Sequence, residues 1–325
     1  MGATYYTTDG KVHAFFNNTS NHETEVMFNS DGTGTVDWGD GAPESFSSGY
    51  VYHTYSTKGS FHCSIDTSNA TWVDFGTSDQ SKQAYATKIT HVFYPSTIVS
   101  FGNTFNHCFN LEAVVIPKGI LNIRAGSFLD CVSLKSIVIP NGVNEFGDSV
   151  FEDDSCLETI SSPCSTTTCG SGFLSGCHAL KNITIPNCTV GFRFLYDCHA
   201  LRKITMAVAN TSWPKYFFHY PWSLQSVILP DTLASIAANA FEGANSLQSI
   251  IIPASVSEIG AQAFLNCRSL YSVTLLATTP PTLSNANAFD LSYQKKIYVP
   301  AESVAAYKAA TNWDTFGSII EAIPS

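Results

Sequence analysis

Ten cysteines, nine histidines and seven ring-bearing side chains crowded between residues 213 and 222 are the groups here that could do chemistry. Thiolates and imidazoles ligate metals or act as nucleophiles and bases, whereas clustered aromatic rings stack on sugar faces and anchor protein partners. The ring cluster is MAVANTSWPKYFFHYPWSL, with Trp213, Tyr216, Phe217, Phe218, His219, Tyr220 and Trp222. Which of these groups is free to act depends on the elements that carry them.

Those elements repeat. Leu111, Leu134, Leu157, Leu180, Leu201, Leu224, Leu247 and Leu270 are spaced by 23, 23, 23, 21, 23, 23 and 23 residues. A fixed period of this length marks one small supersecondary unit copied and stacked, and such a stack works through an extended outer surface. Each unit reads as a strand, LxxIxIP, then a turn, then VxxIGxxAFxxC. Leu134, Ile137 and Ile139, like Leu247, Ile250 and Ile252, are expected to face inward. Proline cannot donate to a ladder, so Pro117, Pro140, Pro163, Pro186, Pro230 and Pro253 end the strands. Phe105, Phe128, Phe151, Phe218, Phe241 and Phe264 fill the far side of each coil, and Phe173 and Phe194 sit one place earlier.

Against this frame most cysteines lose their chemical reading. Cys108, Cys131, Cys177, Cys198 and Cys267 fall three residues before a leucine, a core position, and Cys169 aligns with the inward Ile236 and Ile259. Neighbouring coils lie about 4.8 Å apart, within reach of a disulfide for Cys108 with Cys131 or Cys177 with Cys198, although packing alone explains a repeated core position. Cys164 with Cys169 or Cys188 is the other open pairing, while Cys63 and Cys156 have no evident partner. His107, His178 and His199 each adjoin a cysteine. Zinc needs converging ligands, and an inward Cys beside an outward His does not supply them, so neither a metal nor any other cofactor is expected.

No nucleophile elbow, phosphate loop or HExxH motif occurs, and the carboxylates are dispersed, so the chain reads as no enzyme. Its 325 residues are 44% hydrophobic and 13% charged, an ordered composition. A net charge of -10 with 16 scattered Lys and Arg excludes nucleic acid as a partner. No stretch approaches the roughly 18 apolar residues of a membrane span, so membrane insertion is not expected. The start MGATYYTTDG carries no export signal, and an absent leader is expected here.

The leucine, IP, AF and Cys positions, matching at one period over residues 88–280, resemble the BspA-like leucine-rich repeat family. That resemblance implies a solenoid on the cell surface or outside the cell that adheres to a host protein, a matrix component or a glycan, with no catalytic residues. Before the repeats, residues 1–70 alternate at period two with Asp-Gly turns. There VDWGDG (36–41) and HTYSTKGSFHCSI (53–65) resemble the PKD-like, immunoglobulin-type β-sandwich. The resemblance implies that Trp38 and Tyr55 are core and Asp40 a turn former, with calcium at Asp31, Asp37 and Asp40 left open. The expected fold is therefore mainly β with short helices: the sandwich (1–70), a junction and N-terminal cap (71–87), the solenoid (88–280) and a C-terminal cap (281–325). In the last of these, AESVAAYKAA is helical and Trp313 and Phe316 are anchors.

The strands present paired outward residues, among them Lys203 with Thr205 and Ser226 with Ile228. With Tyr216, His219, Tyr220 and Trp222 these form the expected binding surface, against the alternative that the aberrant coil has merely repacked. A monomer is expected, and capped ends argue against end-to-end stacking. The competing functional reading is a structural or receptor-binding part of a larger assembly such as a virion fibre.

Overall fold

The computed structural model describes residues 9–19, 23–67, 69–76, 83–102, 104–161, 168–185, 188–206, 214, 216–218, 220–289 and 295–324. The chain divides into two compact units, Met1–Leu174 and Ser175–Ser325.

The first unit opens with β1 (Val12–Asn18), β2 (Thr24–Ser30), β3 (Gly34–Asp37), β4 (Glu44–Phe46), β5 (Gly49–Tyr55), β6 (Gly59–Thr67) and β7 (Val73–Asp74). After the short helix α1 (Gln83–Ala86) come β8 (Ile89–Phe93) and β9 (Ala113–Val115). One sheet has the order β4-β3-β6-β1-β8-β9 and another β5-β2-β7. Period-two alternation sends Phe16, Phe28 and Trp38 inward, where their rings and those of Tyr55 and Phe75 are buried together. The Tyr55 hydroxyl donates to the Trp38 carbonyl at 2.9 Å, so a large aromatic is buried without orphaning its polar end.

The three aspartates of this region serve separate local structures. Asp31 accepts from the backbone N–H groups of Thr71 and Trp72 and from the Thr71 hydroxyl; burial raises its pKa, but these bonds outweigh that and hold it below the usual carboxylate value. Asp37 accepts from the Gly39 N–H, and Asp40 pairs with His53. Within the stretch read as a junction, β7 pairs with β2, because Val73 and Phe75 carry buried side chains. β8 pairs antiparallel with β1 and parallel with β9, so the first sheet runs directly into the first coil.

In the coils of this unit, Ser136–Val138 pairs in parallel with Thr159–Ser161, and the short strands Asn122–Ile123, Glu145–Phe146 and Thr168–Cys169 form a second parallel sheet. Phe105, Phe128 and Phe151 stack with centroids 5.2 and 5.1 Å apart, all fully buried. The Cys131 thiol donates to the Phe105 carbonyl at 3.2 Å, so the cysteine column is small, apolar and weakly hydrogen-bonding. None of the described cysteines, Cys169 and Cys188 included, is in a disulfide, and Cys164 lies outside the described residues.

One coil places Asp154 where others place cysteine. Its Oδ1 accepts from the Cys131 N–H at 2.7 Å, while Oδ2 is buried with no partner among the described residues. Burial pushes this carboxyl well above the usual range, only partly opposed by the Cys131 hydrogen bond. The folded state therefore keeps a proton that the unfolded chain releases above about pH 4. Its stability falls as pH rises from there toward the raised folded value. Asp154→Asn keeps the accepted hydrogen bond and removes the titration. The stability of the variant relative to the parent should therefore rise between pH 4 and pH 8, read from thermal melts of both proteins.

In the second unit Asn182–Ile185, Lys203–Met206 and Ser226–Ile228 form one parallel sheet, and Ser249–Ile252, Ser272–Leu275, Lys296–Val299 and Ile320–Ala322 another. Ser235–Ile236, Glu258–Ile259 and Thr282–Leu283 line the opposite side of these coils. Pro230 and Pro253 follow their strands closely, as Pro117 and Pro140 do in the first unit; Pro163 and Pro186 lie outside the described residues. The buried rings form two columns: Phe194 stacks on Phe217 at 5.5 Å, and Phe218, Phe241, Phe264 and Phe289 follow at 5.4, 5.0 and 5.1 Å. Phe217, which the repeat alignment leaves without a role, is thus core, meeting Phe218 edge-on at 4.2 Å. At the chain end Val304–Ala309 is helical, and Trp313 and Phe316 are fully buried against Phe289. No helix among the described residues is long and apolar enough to cross a membrane.

Candidate binding surface

Each coil turns its corner through two left-handed residues, eight and four places before its leucine. In the second unit the earlier position is held by Arg193, Tyr216, Asn239 and Gln262 and the later by Gly176, Asp197, Tyr220, Gly243 and Asn266, with φ between 55° and 76°. Glycine, asparagine and aspartate suit that conformation, whereas a bulky ring costs roughly 1–2 kcal/mol there. Tyr216 and Tyr220, like Arg193 and Gln262, therefore hold left-handed positions at a backbone cost that glycine, asparagine and aspartate avoid. Tyr220 is exposed, Tyr216 half-buried with its ring edge-on to Phe192 at 5.9 Å. Gly243, also left-handed, makes room for the Tyr220 ring: a Cβ there would lie 2.6 Å from its Cδ1.

Two residues beyond the second turn position the side chains form a ladder. His178 stacks on His199 with centroids 5.0 Å apart and planes 9° from parallel, and His199 stacks on Trp222 at 4.5 Å and 4°. Trp222 remains 49% exposed. Asp197 reaches both imidazoles, Oδ1 lying 2.6 Å from His199 Nε2 and Oδ2 3.4 Å from His178 Nε2. The adjacent Cys177 and Cys198 are buried inward, and burial pushes the Cys198 thiol up, so sulfur takes no part. Sequence reasoning correctly separates cysteine from histidine here but misses Asp197, which brings the histidines of two coils together.

On the sheet face Lys203 lies beside Ser226 and Thr205 beside Ile228, as the outward assignment requires. Ile228 and Ile251 are 55% and 60% exposed. The strands Ser226–Ile228 and Ser249–Ile252 belong to different hydrogen-bonded sheets. A shallow groove of about 320 Å³ runs along that break, lined by Ser226, Ile228, Leu229, Ser249, Ile251 and Leu276. The structure thus brings Ser226 and Ile228 into one groove and sets Lys203 and Thr205 on the strand beside it. Tyr216, Tyr220 and Trp222 sit at the corner that leads into this strand, and His219 lies outside the described residues.

No curated protein matches the chain. Among solved structures, a leucine-rich repeat protein from Bacteroides ovatus ATCC 8483 is similar at 23% identity, over 73% of this chain and 85% of that one, with a TM-score of 0.35. A leucine rich cell surface protein from Faecalibacterium prausnitzii A2-165 is similar at 17% identity, over 74% of this chain and 65% of that one, with a TM-score of 0.40. The pneumococcal vaccine antigen PcpA is similar at 15% identity, over 65% and 72%, with a TM-score of 0.32. The BspA type leucine rich repeat region matches in six copies over residues 80–202 and 211–310. With most of its length accounted for by those repeats, the chain belongs to the BspA-type leucine-rich repeat family.

Proposed function

We propose that this chain is a non-catalytic binding protein of the cell surface or extracellular space. It holds a host protein, a matrix component or a glycan on the outer face of the coils in Ser175–Ser325. The observation that carries the reading is the aromatic corner: Trp222 and Tyr220 stand exposed, Tyr220 in a left-handed backbone conformation, on the turn leading into a strand that lines an apolar groove. Exposed rings flanking an apolar groove supply contact area with little conformational entropy to lose, the usual make-up of a binding hot spot. In this reading residues 1–70 are a PKD-like spacer, residues 281–325 cap the repeats, and the protein acts as a monomer.

A panel of glycans, mucins and matrix proteins tests it. Saturable binding of at least one of them is expected, weakened at least about tenfold by Ile251→Asp, which puts a charge into the groove. Absence of binding across the panel counts against adhesion. Binding indifferent to Ile251→Asp removes the groove from the surface.

A further inference from the structure

We propose that His178, Asp197 and His199 form a binding site for one divalent late transition metal ion, with zinc as the representative. The site is independent of the partner proposed above. One ligand atom from each residue lies within 4.8 Å of the others, a convergence that coil stacking produces from residues 21 positions apart in the sequence. Two imidazole nitrogens and one carboxylate oxygen form a donor set suited to zinc, copper or nickel.

The spacing can be checked against a tetrahedral ion. Bonds of about 2.0–2.1 Å put neighbouring ligand atoms roughly 3.3 Å apart. His178 Nε2 lies 3.4 Å from Oδ2 of Asp197 and His199 Nε2 2.6 Å from Oδ1, so the carboxylate spans both imidazoles and has to turn one oxygen between them, opening the 2.6 Å hydrogen bond, when an ion replaces the proton. An ion lies in the plane of each imidazole that binds it, so two nearly parallel rings have to tilt toward one another. His199 is held between His178 and Trp222 and is 35% exposed, so the tilt falls mainly to His178, which is 46% exposed. Trp222, lying flat on His199, limits the other orientations of that ring and so lowers the entropy lost on binding. The same exposure leaves a fourth coordination position for water or for a donor from a bound partner.

Calorimetric titration of tag-free protein with zinc should show one ion per chain. His178→Ala, His199→Ala and Asp197→Asn should each weaken it at least about tenfold. His107→Ala is the control, because His107 pairs with Asp130 in the other unit and is expected to leave zinc binding unchanged. Copper(II) gives a second readout: bound to His199, whose ring touches Trp222, it should quench part of the tryptophan emission, and that part should vanish in Trp222→Phe. No saturable zinc binding, or zinc affinity unchanged in all three site variants, overturns the proposal. So does copper quenching that persists when both histidines are replaced.

Discussion

Replacing Tyr216, Tyr220 and Trp222 together with alanine is expected to abolish partner binding while leaving the melting temperature within a few degrees of the parent. Truncating a ring at a binding hot spot costs about 2 kcal/mol or more, so three such losses reduce affinity beyond ordinary detection. The folded state loses much less. Trp222 is half exposed, and Tyr220 is also exposed. Alanine at the two left-handed positions remains unfavourable, so the backbone strain is neither relieved nor much worsened. The largest structural loss is at half-buried Tyr216, whose ring meets Phe192. Binding assays paired with circular dichroism melts read both quantities. Unchanged affinity contradicts the recognition role, and a collapse in stability makes these rings core.

The opposite pattern is expected at Phe241. Its ring is fully buried between Phe218 and Phe264, with centroids at 5.4 and 5.0 Å. Alanine there removes the transfer free energy of a whole ring and leaves a cavity between coils that cannot close up without losing their strand spacing. The expected cost is about 3–5 kcal/mol. For a unit of this size that lowers the melting temperature by roughly 10 °C. Below the transition, partner affinity stays at the parent value, because Phe241 contributes nothing to the outer face. A melting temperature within a degree or two of the parent contradicts the stacked-ring account of the core. The two variants thus separate the parts of a coil that stabilise from the parts that recognise.

Much of this division is readable in the sequence because every coil solves the same packing problem. The leucine period, the inward isoleucines, the phenylalanine column and the outward pairs such as Lys203 with Thr205 all repeat, and the structure places them as their periodicity demands. The departures are where one coil differs from its neighbours. Asp154 replaces a core cysteine, an exception that the periodic cysteines hide. Phe217 and Phe218 share the changeover between two ring columns. Asp197 escapes notice because its meeting with His178 depends on the corner geometry of two stacked turns rather than on any linear spacing. The groove is equally hidden: it follows from strands of similar sequence, Ser226–Ile228 and Ser249–Ile252, failing to join one ladder.

Amide hydrogen exchange, with and without the mucin, glycan or matrix protein that binds in the panel, tests the central claim most directly. Added protection is expected to be confined to the corner and outer strands of the second unit, residues 192–206, 220–228 and 249–252. Protection concentrated instead in the first 70 residues, with none on those coils, would contradict it.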